Sequence, residues 1–349
     1  MPEPLTVWVL TEDKAGHDSQ TRGIVNALRT RFEVVALPIQ CRLRTGVFKA
    51  PARWLSRLLP KSQLVRVLNL LYRPLKLPAT KPSIILASGG NTICALGCLA
   101  SIFDTPSVFS GTLKNYPAKF IDLDITLLPP GGANNLNLPL PPVAVPDMAT
   151  QRKAEEASAG LIGAVLIGGD GAGCVYSPHD WQRLAATLQA ITVKVHQASR
   201  HNDPVADSLQ WLLTTSRRTG TASETQLRNF CRASTLPIKR AVWWQQKPER
   251  VMADYLQESD FLVCTIDSLS MIAEAIYTGK RVLTFAPEKL RLSENDSRAL
   301  KSYQQHGYIT DLEEFAVNLD QTALTKRRPS PLADVQALIV GAISKLLER

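Results

Sequence analysis

The chain has 349 residues, 45% hydrophobic and 20% charged, with a mean hydropathy near zero. That composition excludes a disordered or fibrous chain, and the length exceeds what one core usually holds, so two domains are expected. Forty Lys and Arg against 31 Asp and Glu give a net charge of +9, yet the excess is local: Val34 to Phe103 holds ten basic residues and no acidic one.

In chain order, the N-terminus up to Lys14 lacks a basic run before its apolar stretch, which reads against a secretion signal. Thr6–Leu10 is a short buried strand, and a helical pattern follows through Ile24, Val25 and Leu28. The intervening turn gathers Lys14, Gly16, His17, Asp18 and Gln20. A histidine there can serve as a general base near neutral pH, although a lone loop histidine is often incidental. Val34–Leu37 is the second strand.

The basic segment comes next and is also apolar. Wound as a helix, Arg66, Asn69 and Arg73 share one face, with Leu64, Val67, Leu68 and Leu71 opposite. With Arg53, Trp54 and Arg57, this predicts a surface lying on an anionic membrane. A core-packed hairpin with a basic rim is the bland alternative; a nucleic-acid patch lacks any accompanying reader motif. Pro82–Phe103 is uncharged for more than twenty residues, long enough to span a bilayer, but Ser88-Gly89-Gly90-Asn91-Thr92 would break the span. It reads as a strand, a turn whose Gly89, Gly90 and Asn91 face a ligand, and a buried helix. Ser107–Phe109 and Ile121–Leu128 complete the first half. Asp122 and Asp124 form a D-x-D, but within an alternating strand pattern that disfavours a metal role.

Pro129–Met148 holds six prolines and Gly131-Gly132, and is expected to be irregular interdomain connection. The expected domains are 1–145, 146–330 and a closing amphipathic helix within 331–349. Ala164–Ile167 is a strand ending in Gly168-Gly169-Asp170-Gly171-Ala172-Gly173, with a helix from about Pro178 to Gln197. Bare amides between a strand and a helix suit phosphate. Cys174-Val175 stand where a Walker loop needs Lys and Ser or Thr, and the G-x-G-x-x-G spacing is absent. A glycine turn without a ligand is the alternative. Leu209–Thr215 ends in Ser216-Arg217-Arg218, offering hydroxyls and guanidiniums to phosphate. Ala241–Trp244, Phe261–Cys264 and Arg281–Phe285 are further strands. After Phe261–Cys264 come Thr265, Asp267, Ser268, Ser270 and Met271 at a helix start, with Glu274 on the face of Ser270 and in reach of a ribose. The alternative is that Asp267 caps this helix and itself occupies the free amides. The six cysteines form no CxxC pair, which argues against a disulfide framework or zinc knuckle and for a reducing compartment.

Trp8-Val9-Leu10-Thr11-Glu12-Asp13-Lys14-Ala15-Gly16-His17-Asp18-Ser19-Gln20 resembles the DxKxGHxxQ opening of the family named for a plant mitochondrial-fission factor. Ile167-Gly168-Gly169, Leu213–Thr219 and Thr265–Ala275 resemble its later motifs. One stretch departs: Leu128-Pro129-Pro130-Gly131-Gly132 stands where the family usually carries a Pro-Glu-His-Asp-like run. The family is in turn similar to glycosyltransferases of the GT-B fold. The resemblance implies an α/β chain of two Rossmann-like domains facing a cleft, the N-terminal one for an acceptor and the C-terminal one for a nucleotide sugar. It implies a metal-independent transfer to a lipid-linked acceptor, with no cofactor, no metal site and no nucleic acid, at the cytoplasmic face of the inner membrane. His17 is the expected base. Gly168, Gly169, Asp170, Gly171, Thr215, Ser216, Arg217, Arg218, Thr265, Asp267, Ser268, Ser270, Met271 and Glu274 are the expected donor set. A non-catalytic membrane-recruited scaffold and a nucleotide-sugar epimerase are the alternatives.

Overall fold

The computed structural model describes residues 3–12, 14–44, 61–113, 116–127, 134–146, 160–199 and 208–348. The chain divides into two compact units, Met1–Ala144 with Leu332–Arg349, and Val145–Pro331.

The first unit runs β1 (Leu5–Thr11), α1 (Ala15–Arg29), β2 (Val34–Gln40), α2 (Lys61–Leu71), β3 (Ile84–Ser88), α3 (Ile93–Phe103), β4 (Ser107–Ser110), β5 (Leu123–Thr126) and β6 (Asn135–Asn137). Its six strands are parallel throughout, in the order β2-β1-β3-β4-β5-β6. Every residue of β3 is buried, as is most of α3, so the uncharged stretch from Pro82 is sheet interior and covering helix. Among the described residues, no helix is long and apolar enough to cross a membrane.

The apolar face of α2 belongs to this core. Leu64, Val67, Leu68 and Leu71 pack with Trp8, Leu10, Ile85 and Phe109, leaving Arg66, Asn69, Leu70 and Arg73 outside. The sequence-based expectation that this stripe lies on a membrane is therefore corrected: a helix beside an open sheet face buries its apolar side there first. Arg53, Trp54 and Arg57 lie outside the described residues. A second correction concerns the proline-rich connection, which holds β6. Asn135 Nδ2 donates to the Asp124 carbonyl, and a three-residue edge strand fits between the flanking prolines.

The second unit runs β7 (Leu161–Leu166), β8 (Cys174–Val175), α4 (Pro178–Ser199), β9 (Leu209–Thr214), α5 (Thr221–Ala233), β10 (Ile238–Val242), α6 (Met252–Glu258), β11 (Phe261–Thr265), α7 (Leu269–Tyr277), β12 (Arg281–Phe285), β13 (Lys289–Leu290), α8 (Glu294–Gln305), β14 (Ile309–Asp311), α9 (Leu312–Val317) and α10 (Gln321–Thr325). The main sheet is again parallel, ordered β10-β9-β7-β11-β12-β14, while β8 and β13 form a short antiparallel ladder. Trp181, Leu184, Leu188 and Ile191 of α4 pack on Val165, Trp211 and Leu213. Buried Lys280 closes α6 from outside, its Nζ donating to the carbonyls of Leu256 (2.5 Å), Gln257 (3.0 Å) and Ser259. The last helix, α11 (Leu332–Leu347), returns to the first unit and packs on α1, where Arg31 Nη1 donates to Ser344 Oγ at 3.3 Å.

Both sheets are doubly wound. The order turns back between β1 and β3 in the first unit, and between β7 and β11 in the second. Loops leaving the strand ends at such a reversal diverge to opposite faces and open a crevice, which is where ligands of open α/β sheets bind.

Candidate functional site

At the β1/β3 reversal, the turn after β1 leads into α1 and brings His17 against Glu12. His17 Nδ1 lies 2.5 Å from Glu12 Oε1, and Lys14 Nζ donates to the same oxygen at 3.1 Å. The Glu12 side chain is only 3% exposed and the His17 ring about one-third exposed. Glu12 Oε2 is buried with no hydrogen-bond partner among the described residues. With Nδ1–H given to Glu12, Nε2 is left as the acceptor. Gly89, at φ +95°, closes over the pair: a Cβ there would overlap both Glu12 Oε1 and His17 Nδ1. Gly90 is exposed, and Asn91 accepts from Tyr72 Oη through its carbonyl at 2.6 Å.

The neighbours of His17 serve as scaffolding. Asp18 accepts from Thr11 Oγ1, and Gln20 Oε1 accepts from Ser88 Oγ (2.9 Å) and Ser110 Oγ (3.0 Å), tying α1 to β3 and β4. Gly16 lies in the first turn of α1. Glu12 is the residue sequence reasoning missed. A carboxylate five positions before a histidine has no periodic signature, and only the tight turn brings the two together.

At the β7/β11 reversal, the structure brings together the expected donor residues but assigns several of them differently. The glycine turn is closed by the protein itself. Gly168 N donates to Thr265 Oγ1 at 2.8 Å, the Gly169 amide supports the Asp267 carboxylate, and Gly171 N donates to the Cys174 carbonyl at 3.1 Å. Asp170 accepts from Tyr176 N through its side chain at 2.9 Å. The expected use of these amides as a phosphate cradle is therefore corrected: main-chain donors already paired are not offered to a ligand.

The alternative reading of Asp267 is not the one the structure shows, since Ser268 and not Asp267 is the N-cap of α7. The fully buried Asp267 carboxylate pairs with Arg218 Nη2 at 2.5 Å and accepts from Tyr176 Oη at 3.3 Å. Burial raises its pKa, opposed by Thr265, Arg218 and Gly169. Arg218 is thus committed to Asp267. Ser216 Oγ donates to the Gly168 carbonyl and accepts from Arg218 N, and Thr215 Oγ1 donates to buried Glu224 at 2.6 Å.

What remains open is the start of α7. Ser268 is its N-cap, in extended conformation, and makes no side-chain capping hydrogen bond. Ser268 Oγ and Ser270 Oγ lie 3.3 Å apart, half-buried together with Met271. Each helix start leaves several amides without an intrahelical partner and carries partial positive charge. Here they emerge from the carboxyl end of a central strand beside two hydroxyls. Glu274 follows one turn later on the same face, and exposed Arg217 stands at the end of β9. Asp122 is used elsewhere, accepting from Ser107 N at 2.9 Å and Ser107 Oγ at 2.6 Å. Among the described residues, no three His, Cys, Asp or Glu side chains gather as a metal site.

Residues 140–338, more than half the chain and covering this second site, match the family described as mitochondrial fission ELM1. The chain belongs to that family. No curated protein matches it. Among solved structures it is similar to HepE of Anabaena in complex with UDP and glucose, at 13% identity over 99% of each chain and a TM-score of 0.48. It is also similar to the calicheamicin glycosyltransferase CalG4 (10% identity, 99% of this chain and 95% of that one, TM-score 0.44). A UDP-N-acetylglucosamine 2-epimerase gives 12% identity over 99% and 98%, with a TM-score of 0.44. At these scores the likenesses add nothing to the layering read from the strands themselves.

Proposed function

We propose that this ELM1-family protein is a glycosyltransferase that moves a sugar from a nucleotide-sugar donor to a membrane glycolipid at the cytoplasmic face. The uncapped start of α7 at the β7/β11 reversal carries the proposal. Its amides, with Ser268, Ser270 and the exposed Arg217, meet the diphosphate, and Glu274 meets the ribose. The acceptor hydroxyl attacks the anomeric carbon while the bond from that carbon to the phosphate oxygen breaks. The nucleoside diphosphate leaves with the bonding pair, and the hydroxyl proton passes to His17 Nε2. Charge on the leaving group is met by fixed dipoles and a guanidinium, a preorganised electrostatic contribution. No metal is assigned a step, because Asp122 of the D-x-D is engaged by Ser107 and Asp124 is buried in the sheet.

One observation favours the non-catalytic scaffold instead: Asp267 fills the glycine turn with the chain's own carboxylate. Thermal shift against a panel of nucleotide sugars separates the two. A donor at about 100 times its Kd stabilises the fold by about 2.7 kcal/mol. With that donor, His17→Ala is expected to lower turnover about 10²–10⁴-fold with donor affinity kept. Absence of a shift with every donor would support the scaffold, and equal loss of turnover and affinity would remove His17 as the base.

A further inference from the structure

Beyond the phosphate site, the second unit carries two consecutive tryptophans just after β10, the edge strand of the same sheet. Of the two, Trp243 is packed against the core and lies under Arg228, whose guanidinium is 6.0 Å from its ring centroid. Trp244 is only half-buried. Its backbone is nonetheless fixed: Trp244 N donates to Thr215 Oγ1 at 2.8 Å, and Gln245 N donates to Glu224 Oε2 at 3.1 Å. The same Glu224 oxygen accepts from Thr215 Oγ1. A buried carboxylate thus sets the turn that carries Trp244.

The turn is also joined to the phosphate site. Gln245 Nε2 donates to the Arg217 carbonyl at 3.2 Å, Ser216 Oγ to the Gly168 carbonyl, and Arg218 to Asp267, which directly precedes Ser268. Across the sheet the strand ends run β10, β9, β7, β11. Three inter-strand spacings of about 4.8 Å separate the first from the last, roughly 14 Å. An extended nucleoside diphosphate matches that span from terminal phosphate to base.

We infer that Trp244 is the platform on which the nucleobase stacks, with its turn held by Thr215 and Glu224 and with Arg217 between base and phosphates. The inference rests on the nucleotide-sugar reading above. Stacking accepts any base face, so Trp244 supplies affinity for a nucleoside and leaves the identity of the base to other contacts.

The test is calorimetric titration of the full chain with UDP, GDP, ADP and inorganic pyrophosphate. At least one nucleoside diphosphate binds the unsubstituted protein. Trp244→Ala weakens it about five- to a hundredfold, while pyrophosphate affinity stays within about twofold. Trp244→Phe recovers most of the loss, because a flat ring is restored. Unchanged nucleotide affinity in Trp244→Ala overturns the platform and leaves the nucleotide reading standing. Equal weakening of nucleotide and pyrophosphate shows a collapsed turn and also overturns it. If none of the three nucleotides binds the unsubstituted protein, both readings fall.

Discussion

Asp124 lies in β5 with its side chain buried and Oδ1 without a hydrogen-bond partner among the described residues, level with Phe109 of β4 and Asn135 of β6. Burial pushes its pKa from 3.8 up to about 7. A folded-state pKa above the unfolded value means that the penalty is absent below about pH 4, grows between pH 4 and 7, and is constant above. Asp124→Asn is therefore expected to raise the Tm at pH 8 and to leave it nearly unchanged at pH 4. Full desolvation puts the upper bound of the gain on the order of 4 kcal/mol. Identical pH dependence of Tm in both proteins would contradict the burial argument. At this scale the sequence was half legible. His17, Ser268 and Ser270 announce themselves by type and position, whereas Glu12 does not, and nothing in the sequence says that Asp267 turns inward to Arg218. Strand-end carboxylates read alike whether they cap a helix or pair with a guanidinium across a loop.

Among the elements, the turns after β7, β9 and β11 behave as one body, because Asp267 and Arg218 bridge them. Gly168 and Gly169 are required by that closure. A Cβ on Gly168 would meet the Asp267 carboxylate, and one on Gly169, at φ +113°, would meet the main chain at Arg218–Thr219. Removing Arg218 leaves a buried charge unpaired. With about one-third of the Arg218 side chain exposed, the cost is discounted from the buried-pair range to about 2–3 kcal/mol. Denaturant unfolding should show that loss in Arg218→Ala and most of it regained in Arg218→Ala/Asp267→Asn. A neutral Arg218→Ala would show that the pair is incidental.

The outer face of α2 presents a second question at element scale. With its apolar stripe in the core, what this segment offers an anionic surface among the described residues is Arg66 and Arg73, with the exposed Val65 and Leu70, each basic residue contributing about 1 kcal/mol near such a surface. Pelleting with anionic vesicles is expected to fall in Arg66→Glu/Arg73→Glu and to be lost at high salt. Unchanged pelleting would remove this face from the proposal. Amphipathic periodicity identified the helix and its two faces, but periodicity is the same whether the partner is a sheet or a lipid surface.

For the molecule as a whole, alternation of buried runs with helical patterns was enough to read two parallel α/β units, since central strands such as β3, β7 and β11 are too apolar to be anything but covered on both faces. Strand order was not legible, and it is what makes the positions of His17 and Ser268 meaningful, by placing each at a sheet reversal. The small pieces, β6 and the β8–β13 ladder, escaped because two- and three-residue pairings carry no period. The central claim is that main-chain amides at the start of α7 hold a pyrophosphate. Hydrogen–deuterium exchange tests it most directly, with and without the nucleotide sugar that gives the largest thermal shift. Slowed exchange concentrated at Leu269, Ser270 and Met271 is predicted. Saturating ligand that leaves those three amides exchanging at their free rate would contradict it.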